Sequence, residues 1–105
     1  MSSKESEIAK SLGDDKMQKS YPGRFESKDG SLILANKRLL FVKEEGFMKK
    51  SYTTTLNLPY NEIKNFTRRG MYLEFTDLKD KIHVFTVDVP ILIETDIRKL
   101  MKTST

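Results

Sequence analysis

Cysteine is absent from this chain of 105 residues, which excludes a disulfide framework, a thiol nucleophile and a cysteine-based zinc site. Long apolar stretches are missing too. The longest runs have only four or five residues, as in Leu32–Ala35 and Val89–Ile93, whereas a membrane helix needs about 20 apolar residues. The first residues also lack the apolar stretch of a secretory signal. We therefore expect a cytoplasmic protein, in which any membrane contact is peripheral.

Residues suited to catalysis are scarce as well. His83 is the single histidine, and it lies between Ile82 and Val84 in a segment typical of a strand. Without cysteine or a second histidine, no activated nucleophile is evident, and no acidic segment has the spacing of a calcium loop. Glycine-rich phosphate loops are missing. We predict a non-enzyme that holds no cofactor and no metal ion.

Positive charge is concentrated in the middle of the chain. The net charge is +4, and residues 36–69 contain eight basic and three acidic residues, whereas the rest of the chain contains 11 basic and 12 acidic residues. Such a concentration suits an anion-attracting face for lipid headgroups, nucleic acid or an acidic protein. Solvated strand edges and loops, where lysine discourages aggregation, are the alternative explanation.

The first twenty residues differ from the remainder. Ile8 and Leu12 fall on one side of a short helix, and Gly13 suits its end. So little apolar surface supports only weak docking, and a polar connection follows. We interpret residues 1–20 as a flexible or weakly helical extension and residues 21–105 as one domain.

Turn residues and alternating apolar residues from Tyr21 onward predict β-structure. Lys28–Gly30 has the chemistry of a hairpin turn, because Asp-Gly tolerates positive φ. The strongest strand is expected over Ser31–Lys43, with a bulge or sharp bend at Asn36–Lys37, where the alternation changes phase. Shorter strands are predicted at 24–27, 48–58, 63–66, 71–76 and 82–87.

The hydrophobic period changes near the C-terminus. Asp88 suits an N-cap and Pro90 the first helical position. Six or seven strands in a meander cannot bury one face without curling, and one amphipathic helix suits the open end of a curled sheet. We predict a mainly β fold, a bent antiparallel sheet or partly open barrel capped by a C-terminal helix, with a short N-terminal helix. An α+β sandwich with the helix packed flat is the alternative. The apolar stripe of the C-terminal helix comprises Ile93, Ile97, Leu100 and Met101.

Two segments carry a family resemblance. The run from Gly30 to Val42, GSLILANKRLLFV, resembles the second-strand signature of GRAM and prokaryotic pleckstrin-homology-like (PH-like) domains. The later segment LPYNEI, residues 58–63, is similar to another segment of that family. The likeness covers residues 21–102, and a terminal helix completes the pattern.

The resemblance implies a PH-like fold and no reaction, because its motifs are structural. Ala35 stands where the family usually has threonine. By the same resemblance, Asn36 and Arg38 tie the bent strand to its neighbours, and Lys37 points outward. Ubiquitin-binding GLUE domains and the PH-like subunit of a general transcription factor share this superfold, so the implied range of partners is wide.

The loop over residues 44–50 is the most informative binding candidate. Phe47 and Met48 lie at a turn, and Lys49 and Lys50 follow directly. An apolar pair beside lysines is what shallow insertion into an anionic membrane requires. Folding of Phe47 back over the open edge of the core is the alternative, and the two glutamates that begin the loop oppose an anionic surface.

A second basic cluster is expected at Lys64, Arg68 and Arg69, where it would serve an acidic protein or nucleic acid. The predicted first hairpin loop, residues 27–31, contains only Lys28 as a cation. PH domains that bind phosphoinositides use several basic residues there, so the resemblance does not imply specific recognition of an inositol phosphate.

The preferred hypothesis is a non-catalytic PH/GRAM-like adaptor domain that binds a protein partner or an anionic membrane surface. Sheet edges also offer backbone pairing to a peptide. The alternative is a nucleic-acid-associated protein that uses the basic strand edge. The candidate binding residues are Lys37, Phe47, Met48, Lys49, Lys50, Lys64, Arg68 and Arg69.

Overall fold

The computed structural model describes residues 3–103, and within that range seven antiparallel strands form one open sheet in the order β4-β3-β2-β1-β7-β6-β5. This confirms the prediction of a mainly β fold with a short N-terminal and a longer C-terminal helix. The elements are α1 (Lys4–Leu12), β1 (Met17–Phe25), β2 (Lys28–Ala35), β3 (Arg38–Glu45), β4 (Ser51–Pro59), a 3₁₀ turn (Tyr60–Glu62), β5 (Ile63–Arg69), β6 (Tyr72–Asp77), β7 (Ile82–Val87) and α2 (Pro90–Thr103).

Aromatic packing shows that the sheet is curled. The ring centroids of Phe25 on β1 and Phe85 on β7 lie 4.6 Å apart, and Phe41 on β3 lies 5.8 Å from Phe85. Side chains from strands at different places in the sheet can meet only if its inner face is concave. The helix α2 closes this inner side, with Ile93 and Ile97 fully buried. Two members of the predicted apolar stripe therefore enter the core.

The first hairpin turns earlier than the sequence predicts. Phe25 pairs with Lys28, and the two residues between them, Glu26 and Ser27, have φ of 52° and 65°. The expected turn at 28–30 is therefore wrong. Gly30 lies within β2, where a Cβ would come within 2.2 Å of the Val42 carbonyl oxygen. Close packing between strands, rather than a turn, requires glycine at this position.

The long strand predicted over residues 31–43 is in fact two strands, β2 and β3, joined at Asn36 and Lys37. The bend was placed correctly, but it is a complete reversal. Asp15, whose side chain is 2% exposed, holds it. Its carboxylate accepts hydrogen bonds from the backbone N–H groups of Asn36 and Lys37 at 3.1 and 3.0 Å. It also pairs with Arg38 at 3.4 Å, in agreement with a structural role for that arginine.

The N-terminal helix packs more closely than the sequence predicts. Ile8 and Leu12 are buried and cluster with Ile33 and Leu40 on the outer face of β2 and β3. These strands are thus covered on both faces, which explains their continuous apolar runs. The helix begins after Ser3, whose hydroxyl caps it. Because β1 begins at Met17, the predicted boundary at residue 20 falls inside a strand.

Both edge strands of the sheet are contacted by a helix. At the β4 edge, the Glu7 carboxylate of α1 accepts a hydrogen bond from the Thr54 backbone N–H at 2.8 Å. At the β5 edge, the Arg98 guanidinium of α2 donates to the Phe66 carbonyl at 3.3 Å and lies 4.7 Å from the centre of its ring. A peptide that paired along either edge would have to displace these contacts.

Candidate functional site

The loop between β3 and β4 projects its apolar side chains into solvent. Gly46 has φ of 112°, and a Cβ there would lie 2.1 Å from the Lys49 carbonyl oxygen. The chain therefore curls tightly at this glycine. Phe47 is 94% exposed and Met48 is 86% exposed. The alternative in which Phe47 folds back over the core is wrong.

The acidic residues of the loop are neutralised by neighbouring lysines. Lys50 pairs with Glu44 at 2.9 Å, and Glu45 pairs with Lys43 at 2.9 Å and with Lys28 at 3.5 Å. The hydrogen bond from Lys43 lowers the pKa of Glu45, and the hydrogen bond to Glu44 raises the pKa of Lys50.

Lys49 differs from the other lysines at this loop. It takes part in none of the ion pairs within residues 3–103, in contrast to Lys50 beside it, which pairs with Glu44. Because Glu44 and Glu45 are each paired with a lysine, their negative charges oppose an anionic surface less than the sequence alone suggests. The loop tip combines two exposed apolar side chains with one free cation.

The first hairpin loop lies between the β3–β4 loop and the turn that follows β6. The ion pair between Lys28 and Glu45 ties the first hairpin to the β3–β4 loop. On its other side, Glu26 of the first hairpin shares a shallow cavity of about 310 Å³ with Lys81 and Ile82, where β7 begins. The β3–β4 loop, the first hairpin loop and the β6–β7 turn therefore lie side by side at one end of the sheet.

The turn between β6 and β7 was predicted only as a turn, yet it also exposes apolar side chains. Leu78 is 62% exposed and Ile82 is 59% exposed. The lysine ion pair at this turn joins Lys64 to Asp80, and within residues 3–103 the side chains of Lys79 and Lys81 make none. The signal in the sequence was one leucine inside an otherwise charged turn.

Asp77 fixes the shape of that turn. One carboxylate oxygen accepts hydrogen bonds from the backbone N–H groups of Lys79 and Lys81 at 2.8 and 3.0 Å, and the other lies 2.9 Å from Nε2 of His83. The hydrogen bond with His83 is the main reason that the pKa of Asp77 is lowered. His83 itself is only 5% exposed. It therefore stabilises the turn as a buried hydrogen-bond partner of Asp77.

The second predicted cluster does not form one surface. Lys64 pairs with Asp80 at 2.6 Å. Arg68 and Arg69 are consecutive on β5, so their side chains leave opposite faces of the sheet. They pair with different elements: Arg68 pairs with Glu94 on α2 at 2.9 Å, and Arg69 pairs with Glu74 on β6 at 3.5 Å. The β5 residues therefore offer little unpaired positive charge to nucleic acid.

Lys37 is also separate from the loop tip. It is exposed in the turn before β3, whereas Phe47 follows the end of that strand. The eight residues of β3 span about 25 Å. Lys37 and the loop tip therefore lie at opposite ends of one strand.

A second apolar surface lies beside the start of α2 and was not predicted. It is a groove of about 790 Å³ between the β5–β6 turn and the helix, bordered by Arg68 and Asp88. The apolar stripe predicted for α2 does not include the residues that line this groove. The exposed side chains of the groove are Met71, Val89, Ile91 and Leu92.

Two kinds of site are absent from residues 3–103. No group of three or more histidine, aspartate and glutamate side chains is arranged to hold a metal ion. Neither helix in this range is long and apolar enough to cross a membrane.

Comparison with known proteins identifies a fold but no family. No protein-family model matches the chain, and no curated protein matches it. The structure is similar to the crystal structure of the C-terminal domain of an unknown protein from Leishmania infantum, with a TM-score of 0.66 and 14% sequence identity. The match covers 90% of this chain and 94% of that one. At this identity the likeness shows a shared fold alone.

Proposed function

We propose that this chain is a non-catalytic, PH/GRAM-like binding domain of the cytoplasm that contacts an anionic membrane surface peripherally through its β3–β4 loop. The proposal is carried by one observation, the exposure of Phe47 and Met48 at a tip that also presents the unpaired Lys49. The curled sheet closed by α2 and the GSLILANKRLLFV run support the family assignment.

A membrane suits this tip because it is a fluid partner that needs no matching pocket. Inserting Phe47 into the acyl boundary stabilises binding by roughly 1.5–3 kcal/mol. A lysine near an anionic surface adds about 1 kcal/mol. Contributions of this size predict weak, reversible and salt-sensitive binding, weaker than that of a single lipid anchor.

Flotation with liposomes tests the proposal. The wild-type protein is expected to float with vesicles that contain phosphatidylserine and to remain in solution with phosphatidylcholine alone. The double variant Phe47→Ala/Met48→Ala should lose about tenfold or more in partition, without loss of stability, because both side chains are exposed. Its control is Ile91→Ala/Leu92→Ala, which removes two exposed apolar side chains from the groove.

The outcomes separate cleanly. Equal loss in both double variants would indicate general adhesion of apolar surface rather than a site at the β3–β4 loop. Absence of flotation at low salt with anionic vesicles would contradict the membrane role outright.

A protein partner is the second candidate, and the groove is the observation that favours it. A volume of about 790 Å³ lies in the range of pockets that accept ligands or side chains, and Met71 offers an adaptable wall. Unchanged flotation in the Phe47→Ala/Met48→Ala variant would direct attention to this surface. The nucleic-acid alternative is weaker, because Lys64, Arg68 and Arg69 are each paired.

A further inference from the structure

We infer that the first half of β1 and the second half of α2 form a docking cleft for an extended, acidic peptide segment of a partner protein. This β1–α2 cleft has a volume of about 250 Å³ and is lined by Gln18, Lys19, Asp96, Lys99 and Leu100. The inference goes beyond the proposed membrane contact, because it concerns a different surface and a different class of partner.

The first half of β1 has an unfilled edge. The strand pairs with β2 from Met17 to Phe25, but it pairs with β7 only from Gly23 to Phe25. Residues 17–22 therefore lack a second strand neighbour within residues 3–103. In such a strand, alternate residues direct their backbone N–H and C=O groups away from the paired side. An extended peptide can bind these groups by strand addition.

Pro22 limits the length of this edge. Proline has no N–H, so within a strand it is found where a neighbouring strand is missing. Here it lies directly before Gly23, where the pairing with β7 begins. A docked peptide therefore pairs with residues 17–21, a stretch of about 17 Å.

The helix α2 forms the other wall of the cleft. The Tyr21 hydroxyl donates a hydrogen bond to the Asp96 carboxylate, and the next turn of the helix lines the cleft together with Gln18 and Lys19. Burial, together with this hydrogen bond, raises the pKa of Tyr21 to about 12. At neutral pH the hydroxyl therefore stays protonated and holds the helix beside the strand. The side chain of Met17, at the start of the edge, is 49% exposed.

The lysines of the cleft are accessible to a partner. Lys19 and Lys99 are exposed and take part in none of the ion pairs within residues 3–103, in contrast to Arg24 on β1 and Glu94 on α2. Lys16, directly before the strand, is exposed as well. Acidic side chains on an added strand would lie beside these positions, and opposite charges on neighbouring strands stabilise their pairing.

The carboxylates near these lysines do not cancel their charge. Asp96 lines the cleft, but it already accepts a hydrogen bond. Asp14 is exposed in the connection after α1, and the next residue, Asp15, pairs with Arg38. Counting Lys102 on the last turn of α2, four lysines outnumber these carboxylates. The excess of positive charge favours an acidic partner.

Other occupants fit the cleft less well. A second copy of this chain paired through the same edge would bring the lysines of the two copies together, and like charges on neighbouring strands are destabilising. Single-stranded nucleic acid binds through exposed aromatic rings, whereas Tyr21 at this edge is partly buried and hydrogen-bonded. An extended acidic segment uses both the backbone groups and the lysines.

The cleft lies away from the β3–β4 loop. It begins where Met17 pairs with Ala35, whereas the opposite end of the same hairpin, at Lys28, is joined to that loop through Glu45. The nine residues of β1 span about 30 Å. A peptide and a vesicle can therefore be bound at once, and failure of one site leaves the other testable.

Amide NMR of the isotope-labelled protein with synthetic peptides tests the inference. The probe is the acidic peptide Thr-Val-Glu-Val-Glu-Val-Thr. One control carries lysine in place of glutamate, and the other carries proline in place of the central valine. At about 1 mM peptide, we expect the acidic peptide to shift the amide signals of residues 17–21. Neither control should do so, because the first is repelled by the lysines and the second cannot continue a strand.

Charge reversal provides the matched comparison. Lys19→Glu/Lys99→Glu should weaken binding of the acidic peptide about tenfold or more, because like charges then face each other. At an ionic strength of about 0.1 M this variant should float with anionic vesicles as the wild type does. Lys49→Glu/Lys79→Glu changes the net charge equally at exposed positions and should leave peptide binding unchanged. Equal weakening in both variants would show that net charge alone attracts the peptide and would overturn the inferred cleft.

The remaining outcomes also decide the matter. Equal shifts with the proline-containing and the acidic peptide would overturn strand pairing. Stronger shifts of the same amides with a thymidine decanucleotide would identify nucleic acid as the occupant and overturn the inference. Unshifted signals of residues 17–21 with the acidic peptide would overturn it as well, while flotation decides the proposed membrane contact independently.

Discussion

The β3–β4 loop and the groove beside α2 both expose apolar side chains, but in opposite shapes. Phe47 and Met48 stand 94% and 86% exposed on a projecting loop. Ile91 and Leu92, 65% and 51% exposed, line a concave groove. A projecting apolar tip can enter a fluid layer, whereas a groove gains only from a partner that fills it. Exposed apolar area therefore does not by itself identify the partner; its shape does.

The basic residues beside these two surfaces also differ, because one surface has an unpaired lysine and the other has paired arginines. Near the loop, lysines neutralise Glu44 and Glu45 and leave Lys49 unpaired. Near the groove, Arg68 on β5 pairs with Glu94 on α2, and Arg98 on α2 donates to the Phe66 carbonyl of β5, so both arginines join the helix to the sheet. Basic residues thus face solvent at one place and hold the fold together at the other.

The largest effect is expected from the glycine that shapes the loop. In Gly46→Ala a Cβ would meet the Lys49 carbonyl oxygen at 2.1 Å, so the loop must rearrange. Losing the insertion of Phe47 alone removes roughly 1.5–3 kcal/mol, which predicts about a tenfold or larger drop in vesicle partition. Gly70→Ala, beside the groove, has φ of 59° and open space at Cβ. It should cost about 1–2 kcal/mol of stability and leave partition unchanged. Similar partition of the two variants would refute the role of the loop shape.

A smaller effect is expected when a single basic residue is replaced by glutamine, either in the β3–β4 loop or on β5. Lys49→Gln should lower partition onto anionic vesicles about fivefold, because an unpaired lysine near the surface contributes about 1 kcal/mol. Arg69→Gln removes a cation that is paired with Glu74 at 3.5 Å, and we expect no change in partition. Cosedimentation with vesicles at two salt concentrations measures both. A larger loss in Arg69→Gln would mean that β5, rather than the loop, faces the lipid.

Freeing the paired lysines should strengthen binding. Glu45→Gln releases Lys28 and Lys43 from their shared partner, and we expect partition to rise about threefold at an ionic strength of about 0.1 M. The matched control, Glu74→Gln, removes the same negative charge beside Arg69 and should have no effect, because screening limits such influence to about 8–10 Å. A decrease in Glu45→Gln would show that the ion pairs hold the loop in its binding shape.

The smallest effect concerns pH and the helix that borders the groove. Hydrogen bonds from Arg68 and then Arg98 hold the pKa of Glu94 below its ordinary value. A carboxyl with a lowered folded-state pKa stabilises the fold above its unfolded pKa, and this contribution is lost as pH falls through the folded value. Between neutral and acidic pH, the Tm of Glu94→Gln should therefore fall less steeply than that of the wild type. Parallel curves would show that these arginines do not stabilise the docked helix.

Much of the fold could be predicted because the spacing of apolar residues along the chain, which distinguishes strands from helices, is a local property of the sequence. Met71, Leu73 and Phe75 alternate with polar residues, and the strand β6 lies there. The hairpin at residues 36–37 could not be told from a bend, because Asp15, which binds its backbone, is distant in sequence. Gly30 was assigned to a turn because its contact with Val42 arises only when β2 and β3 pair.

The candidate site was only partly predictable. Phe47 and Met48 beside lysines are visible as a motif, but their exposure depends on the curl at Gly46. Leu78 is a single apolar residue among charges, and its position beside the first hairpin follows from strand order rather than from sequence. Pairing of charges across elements, such as Arg68 with Glu94, is equally invisible in the sequence.

The close docking of α1 has a consequence for the association of chains. Without this helix, Ile33 and Leu40 on the outer face would meet water, and the Thr54 N–H of the edge strand β4 would lose its partner. An uncovered edge strand with apolar residues beside it is a template for pairing with another chain. A truncated protein that begins at Met17 is therefore expected to aggregate on expression. The N-terminal helix thus prevents association of chains by covering this face and edge of the sheet.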